Sequence, residues 1–156
     1  DVVAFGDDVG TQRGMMMSVD MWREQLKPRL ARLIAAVREE QVGEPWIFYH
    51  SDGDIRDILD DLAEIGVQII NPMQPECMPI ADVVADHKHH LGFWGMIGTQ
   101  TTMPFGSPED VRAAVAEVER FARDGASVVV SPTHMLEPDV PWENVVAFYE
   151  AVDRYA

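Results

Sequence analysis

The stretch WIFYHSDGD, residues 46–54, places a histidine and a carboxylate where an apolar run ends. His50 and Asp52 are two residues apart, and side chains two apart on a strand point to the same face of a sheet. An imidazole and a carboxylate at the end of a buried strand could hold a divalent metal or a substrate. The alternative is structural, with His50 hydrogen-bonded to a neighbouring loop and Asp52 capping the helix that follows.

Polar residues also follow the first and the last apolar runs. Asp7 and Asp8 come directly after the first run, and His134 comes shortly after the last. A carboxylate at the end of a strand could act as a general base or orient a substrate. Two imidazoles and a carboxylate that converge at one edge of a sheet could hold a metal with one position open, as catalytic metal sites do. Hydrogen bonding within loops is the alternative for each of these residues.

Other candidates rest on position alone. Arg13, on the loop after the first run, could bind a substrate carboxylate through two hydrogen bonds, and a surface ion pair is its alternative. Gln100 and Trp94, near the end of the fourth run, could contact substrate, with core packing as the alternative for Trp94. Glu76 is a further candidate metal ligand. The stretch HKHH, residues 87–90, is predicted to be a solvated loop because its spacing does not gather the rings on one face.

These residues need a fold that gathers the ends of several strands. Five apolar runs suit buried parallel strands, namely residues 2–5, 46–49, 67–70, 91–94 and 126–130. Helical patterns follow them at residues 21–40, about 54–66, 80 to about 86, 107–125 and from 141 onward. Cap residues support three of these helices: Ser18 before the first, Asp54 before the second and Ser107 before the fourth.

Five βα units in a row fit two architectures, a doubly wound open sheet or part of a (β/α)8 barrel. Both architectures place ligand-contacting residues just after the carboxyl ends of the strands. No glycine-rich phosphate loop of the type G-x-G-x-x-G or G-x-x-x-x-G-K-[ST] follows any predicted strand. The pattern therefore favours the barrel over a nucleotide-binding open sheet.

Composition limits the partners and the compartment. The 156 residues carry 12 basic and 27 acidic side chains, a net charge of −15, which argues against nucleic acid or an anionic membrane surface as a partner. The single cysteine, Cys77, excludes an intrachain disulfide and fits a reducing cytosol. No apolar run approaches the roughly 18–20 residues that span a bilayer. We expect a cytoplasmic protein, and a chain that is a piece of something longer because it lacks an initiating Met.

Five segments resemble the C-terminal half of the uroporphyrinogen decarboxylase superfamily. They are GDDVGTQRGMMMS, LKPRLARLI, FYHSDGDIRDILDDLAEIGVQIINPMQPE, FWGMIGTQTTMPFGSPEDV and VVVSPTHMLEPDVPWENVVAFYEA. Together they cover essentially the whole chain, in the order in which the family has them. The resemblance implies part of a (β/α)8 TIM barrel, with strands four to eight present as a single partial domain over residues 1–156. The Asp7–Asp8 pair is similar to the family's Asp-Asp-x-Gly element.

The family includes decarboxylases and methyltransferases, and the two branches differ at the strand that contains HSDGD. In the methyltransferase branch this strand usually ends in His-x-Cys-Gly, and its ligands hold a zinc ion that activates a thiol acceptor. The matching positions are His50, Asp52, Glu76 and His134. Because Asp52 stands where the motif has Cys, the resulting site is harder and suits Mn²⁺ or Fe²⁺ as well as Zn²⁺. A corrinoid partner is compatible with this branch.

We therefore expect a metal-dependent, methyltransferase-like enzyme that acts on a small molecule, with Asp7, Asp8 and His134 as its catalytic groups. One alternative is a carboxy-lyase that acts on a tetrapyrrole, with His134 in contact with substrate. The other is a non-catalytic half-barrel that associates with another chain. Five strands of a barrel leave two open sheet edges and an exposed inner face. We expect the missing N-terminal half of the barrel or a homo-oligomer to cover that face.

Overall fold

The computed structural model describes residues 1–40 and 43–154. Its strands are β1 (Val2–Gly6), β2 (Gly10–Thr11), β3 (Gly14–Met15), β4 (Trp46–His50), β5 (Ile69–Met73), β6 (Gly92–Ile97) and β7 (Ser127–Pro132). Five of them form one parallel sheet in the order β1-β4-β5-β6-β7. All five predicted strands are confirmed. The antiparallel hairpin of β2 and β3 is an addition that the sequence pattern did not predict.

The helices are α1 (Val19–Gln25), α2 (Lys27–Glu40), α3 (Leu59–Glu64), α4 (Ile80–His87), α5 (Thr102–Phe105), α6 (Pro108–Arg123) and α7 (Trp142–Asp153), with a 3₁₀ turn at Arg56–Ile58 before α3. Ser18 caps α1 as predicted, since its hydroxyl accepts a hydrogen bond from the Met21 N–H. The single helix predicted over 21–40 is two helices that meet at Leu26. Pro28 has no N–H to donate to the preceding turn, which explains the break.

The helices cover one face of the sheet only. Ile47 and Tyr49 of β4 point into the helical layer and are almost fully buried, whereas Trp46 of the same strand points the other way and is 55% exposed. The strands lie side by side in the sheet in the same order in which they occur along the chain. A doubly wound sheet would instead have helices on both faces and a reversal in strand order. This architecture is a segment of a (β/α)8 barrel, as expected.

The inner face of the barrel segment is apolar and open. Val2, Trp46 and Val129 are all well exposed on it, and Phe48 packs edge-to-face against Trp94 with ring centroids 5.4 Å apart. A groove of about 550 Å³ runs across the amino ends of the strands on this side. The sheet therefore presents hydrophobic surface that a closed barrel would bury. Among the described residues, no helix has both the length and the apolar character needed to cross a bilayer.

Candidate functional site

The carboxyl ends of β1 and β4 bring three ligating side chains together. We call Asp8, His50 and Asp52 the strand-end cluster, because one nitrogen or oxygen of each lies within 4.8 Å of the others. His50 Nε2 is 3.7 Å from Asp8 Oδ1, and the same oxygen accepts a hydrogen bond from the Asp52 N–H at 3.0 Å. Gly6 is the register partner of His50. The loop after β1 therefore lies directly over the end of β4.

The orientation of the His50 ring is fixed by the neighbouring strand. His50 Nδ1 lies 2.7 Å from Asn71 Oδ1, and Asn71 Nδ2 donates to the Trp94 carbonyl. Because Asn71 uses its NH₂ group on Trp94, its oxygen faces His50, so Nδ1 carries the ring proton. Pro72 has no N–H for the sheet, and the β5–β6 register shifts at this point. The Asn71 side chain thus joins two strands and leaves His50 Nε2 with a free lone pair in the cluster.

Asp52 supplies an acceptor that the protein does not use. Its Oδ1 is buried and has no hydrogen-bond partner among the described residues. The structural alternative, that Asp52 caps the next helix, does not hold, because Asp54 accepts from the backbone N–H of Arg56 at 3.2 Å and from its guanidinium. The Arg56 guanidinium lowers the pKa of Asp54, so that carboxylate is ionised and already paired. A buried unpaired oxygen usually costs free energy unless a ligand satisfies it.

Two glycines allow the loops after β1 and β4 to approach closely. Gly53 has a φ of +84°, and a Cβ on it would lie 2.6 Å from the carbonyl carbon of Gly10. The Gly53 N–H donates to Gln74 Oε1 at 2.6 Å, and the Ser51 hydroxyl accepts from the Val9 N–H. Residues with side chains would hold these loops apart. Gly10 and Gly53 therefore allow the loop that carries Asp8 to lie close to the end of β4.

The structure does not bring Glu76 or His134 into the strand-end cluster. Neither of them forms a group of three ligand atoms with His50 and Asp52 within 4.8 Å. Glu76 Oε1 accepts from the Gln100 N–H at 3.0 Å and from the Thr101 hydroxyl at 3.1 Å, while its Oε2 is buried without a partner. His134 is exposed on the loop after β7. Asp8 occupies the place in the cluster that the sequence analysis expected His134 to fill.

Asp7 contributes to the site through its backbone. Its N–H donates to the His50 carbonyl at 3.1 Å, and its own carbonyl accepts from the Tyr49 hydroxyl at 3.3 Å. Burial raises the pKa of Tyr49, and the charges of Asp7 and Asp8 raise it further, so the hydroxyl remains a donor at neutral pH. The Asp7 side chain is exposed, and Asp7 lines a cavity together with Trp22 and Leu26 of the helical layer.

The predicted substrate-contacting residues lie in different places. Arg13 is exposed on the β2–β3 hairpin, where its N–H donates to the Thr11 hydroxyl. Gln100 is exposed on the loop after β6. Trp94 lies on the inner face in contact with Phe48, so packing, the alternative reading, accounts for its side chain. Arg13 and Gln100 both follow carboxyl ends of strands and are accessible to a substrate there.

Asn71, which holds the His50 ring, was not among the predicted site residues. The signal available for it was a single polar amide inside the apolar run IINPM. Cys77 lies nearby, with its Sγ 3.3 Å from Gln12 Oε1. Burial, and next the charge of Glu76, raise the pKa of the Cys77 thiol, so it is neither a ready nucleophile nor a thiolate ligand.

Comparison with known proteins identifies the family. No curated protein matches the chain. Among solved structures, a methyltransferase from Methanosarcina mazei has a similar fold, with a TM-score of 0.76 and 24% sequence identity over 99% of this chain and 42% of that chain. The present chain thus spans less than half the length of that neighbour. The family model described as Uroporphyrinogen decarboxylase (URO-D) matches residues 1–155, and the chain belongs to this family.

Proposed function

We propose that the strand-end cluster binds a divalent metal ion and that the protein is a metal-dependent, methyltransferase-like enzyme acting on a small substrate. One observation carries the proposal. His50, held by Asn71 through Nδ1, directs its free Nε2 toward two carboxylates, one of which has a buried oxygen without a partner. An imidazole lone pair and two carboxylates in one place are donors for a divalent cation, and an ion between them would remove their mutual repulsion.

The donor set fits a borderline or hard cation. One imidazole nitrogen and two carboxylate oxygens suit Zn²⁺, and also Mn²⁺ or Fe²⁺. Metal-binding histidines are usually held through the second ring nitrogen by a hydrogen bond to a carbonyl or carboxylate oxygen, which is the role that the Asn71 oxygen has here. Three protein ligands also leave a position open for a substrate atom.

In the proposed chemistry, the metal ion and the protein side chains would have different roles. When bound, a divalent metal would supply Lewis acidity that activates a thiol or polarises a substrate oxygen. The protein orients His50 through Asn71 and keeps Asp8 accessible, since the Asp8 side chain is 60% exposed. Asp7 directly follows β1, and its exposed carboxylate is the proposed proton acceptor for an incoming substrate.

We assign the remaining predicted residues to substrate contact and support. His134 follows β7, three strands from β4 in the sheet, so substrate contact or proton transfer suits it better than metal ligation. Arg13 and Gln100 are accessible for contact with a substrate carboxylate or amide. Glu76 holds the loop after β6, and its unpaired Oε2 could accept a hydrogen bond from a ligand.

Metal content tests the first half of the proposal. The purified chain would be stripped with a chelator, incubated with Zn²⁺, freed of excess metal and measured by elemental mass spectrometry beside His50→Ala. His89→Ala is the matched control, because His89 is exposed and belongs to no ligand group among the described residues. We expect His50→Ala to retain one equivalent less zinc than wild type and His89→Ala to match wild type. Equal zinc in all three proteins would refute the metal site.

A thiol-binding experiment tests the second half. Co²⁺ in place of zinc would report a bound thiol through a sulfur-to-cobalt charge-transfer band when 2-mercaptoethanol is added. The band should appear in wild type and be absent from His50→Ala. A protein that binds metal but never shows the band would support the metal site and contradict thiol-dependent methyl transfer. The methyl donor that we propose for that transfer is a corrinoid partner. A metal-free protein would favour the tetrapyrrole carboxy-lyase or the non-catalytic half-barrel.

We further propose that additional barrel strands, or a second copy of the chain, cover the inner face. The exposed side chains of Val2, Trp46 and Val129 support this, because apolar surface on one side of a sheet favours association. The two open edges, β1 and β7, can also pair with other strands. Sedimentation of the chain at micromolar concentration should show oligomers. A stable monomer that does not aggregate would count against association.

A further inference from the structure

A second group of ligating side chains lies in the helical layer. Asp60 of α3, His87 at the end of α4 and His90 in the following turn have one ligand atom each within 4.8 Å of one another. We call them the helix-end cluster. His90 also lines the groove at the amino ends of the strands. The helix-end cluster is therefore at the opposite edge of the sheet from the strand-end cluster.

The three ligand atoms form a nearly equilateral triangle. His87 Nδ1 is 3.3 Å from Asp60 Oδ1, His87 Nδ1 is 3.3 Å from His90 Nε2, and His90 Nε2 is 3.7 Å from Asp60 Oδ1. Ligands bound about 2.0–2.1 Å from a tetrahedral Zn²⁺ are roughly 3.3–3.4 Å apart. Two sides of the triangle match that spacing and the third is slightly longer. The atoms already lie close to one face of a zinc tetrahedron.

Hydrogen bonds alone satisfy these three ligand atoms poorly. Each imidazole nitrogen carries at most one hydrogen, and a hydrogen bond between the two rings needs one donor and one acceptor. If both nitrogens donate to Asp60, two N–H groups converge on one oxygen with their nitrogens only 3.3 Å apart. If only one is protonated, the other directs its lone pair at a carboxylate. A single divalent cation would accept electron pairs from all three atoms at once, without either conflict.

The backbone explains why the two rings meet. Helix α4 ends at His87, and the N–H groups of His90 and Leu91 both donate to the His87 carbonyl. This turn places His90 beside His87, with ring centroids 5.3 Å apart. The prediction that the rings of HKHH do not gather was wrong, because the turn after α4 brings His90 back beside His87.

No fixed cation competes for this group among the described residues. Asp60 pairs with the two histidines and with no lysine or arginine there. Lys88 lies between the histidines in sequence, but its Nζ donates to the Asp124 carbonyl at 2.9 Å. The Asp60 side chain is 86% exposed and that of His90 is 41% exposed, so an ion from solution can reach the group and water can complete its coordination.

From this geometry we propose that Asp60, His87 and His90 form a second site for a divalent transition metal, with Zn²⁺ as the best fit and Ni²⁺ or Cu²⁺ as close competitors. The ion links α3 to the turn after α4. Both helices are short, six and eight residues, and such helices depend on tertiary contacts for their stability. The site would thus stabilise the helical layer and has no part in the chemistry at the strand ends.

Zinc titration in a His50→Ala background tests this site apart from the strand-end cluster. In that background we expect one equivalent of Zn²⁺ by calorimetry and a rise in melting temperature with zinc, because an ion that binds only the folded state stabilises it. Adding His90→Ala should weaken zinc binding at least tenfold and remove the rise. Adding His89→Ala, the adjacent and exposed control, should change neither.

A second variant tests whether a loss of zinc binding is caused by misfolding. Asp60→Asn changes a mostly exposed side chain, and it should weaken zinc binding as His90→Ala does while leaving the metal-free melting temperature unchanged. Equal zinc affinity in the His89 and His90 variants, or no zinc bound in the His50→Ala background, would overturn the proposal. Neither result bears on the strand-end cluster, because every protein in this series lacks His50.

Discussion

The strand-end and helix-end clusters use the same kinds of side chain but are held in different ways. In the strand-end cluster, Asn71 fixes the ring of His50 through its second nitrogen. In the helix-end cluster, the rings of His87 and His90 contact each other and Asp60, and no hydrogen bond among the described residues holds their remaining nitrogens. A ligand that is oriented before the metal arrives loses less freedom on binding, and such orientation is what catalytic sites require.

The largest expected loss of stability comes from a substitution that disrupts the strand-end cluster and leaves the helix-end cluster intact. Gly53→Ala would place a Cβ 2.6–2.7 Å from the backbone of Gly10 and Thr11 at a φ of +84°. Strain and overlap together should lower the free energy of unfolding by about 3 kcal/mol. Urea denaturation would measure this loss, and zinc titration should show one site lost and the helix-end site retained.

Gly125→Ala is the control for that prediction. Gly125 also has a positive φ, +89°, but a Cβ there would meet nothing within 4 Å. It should cost only the backbone strain, about 1–2 kcal/mol, and leave both zinc sites intact. Equal losses for the two variants would mean that the close approach of the loops is not what positions Asp8.

The next largest effect concerns the support of the His50 ring. Asn71→Ala removes the acceptor for His50 Nδ1 and should weaken zinc at the strand-end cluster by about 10–100-fold. Titration in a His90→Ala background would isolate this cluster. An unchanged affinity would show that the two clusters do not differ in preorganisation, which is the basis of the comparison.

A smaller effect is expected at Asp61, which follows Asp60 in the sequence but lies outside the helix-end cluster. Asp61 is almost fully buried and accepts hydrogen bonds from Arg23 and Lys27. The bond from Arg23, and then that from Lys27, lowers the pKa of Asp61. Its stabilisation is therefore complete above the unfolded pKa of about 3.9 and disappears as the pH falls through the folded value.

Denaturation at several pH values checks this sign. Asp61→Asn should lower the free energy of unfolding by about 1–2 kcal/mol at pH 7, and the difference from wild type should shrink as the pH falls below about 4. A difference that grows on acidification would contradict the assignment of Asp61 as the ionised partner of the two cations.

The smallest effect is expected at the helix-end cluster without metal. Asp60→Asn should change the free energy of unfolding of the stripped protein by less than about 0.5 kcal/mol, since exposed ion pairs contribute little. In a His50→Ala background, adding Asp60→Asn should remove the stabilisation by zinc that the background protein shows. A large loss in the absence of metal would show that Asp60 has a structural role and would weaken the comparison.

The sequence predicted the scaffold better than it predicted the sites. Apolar runs located all five strands of the sheet, and Ser18 and Ser107 marked helix starts that the structure has. These features depend on local composition and spacing. The hairpin of β2 and β3 escaped prediction because each of its strands has only two residues.

The sites depend on contacts that sequence spacing does not contain. His50 and Asp52 were predicted together because they follow the same strand. Asp8 joins them only because the loops after β1 and β4 approach closely at Gly10 and Gly53. His134 was expected in the cluster from the family motif, but it forms no ligand group with His50 and Asp52. The pair of His87 and His90 depends on a turn at the end of α4, whose exact end the apolar pattern did not define.

Anomalous diffraction from a zinc-loaded crystal, collected at the zinc absorption edge, is the most direct test of the strand-end cluster. We predict an anomalous peak about 2.0–2.2 Å from His50 Nε2 and from an oxygen of Asp8 or Asp52, with Nδ1 still bonded to Asn71. Zinc peaks elsewhere with none at His50 Nε2, in a crystal that leaves the cluster open to solvent, would contradict the account.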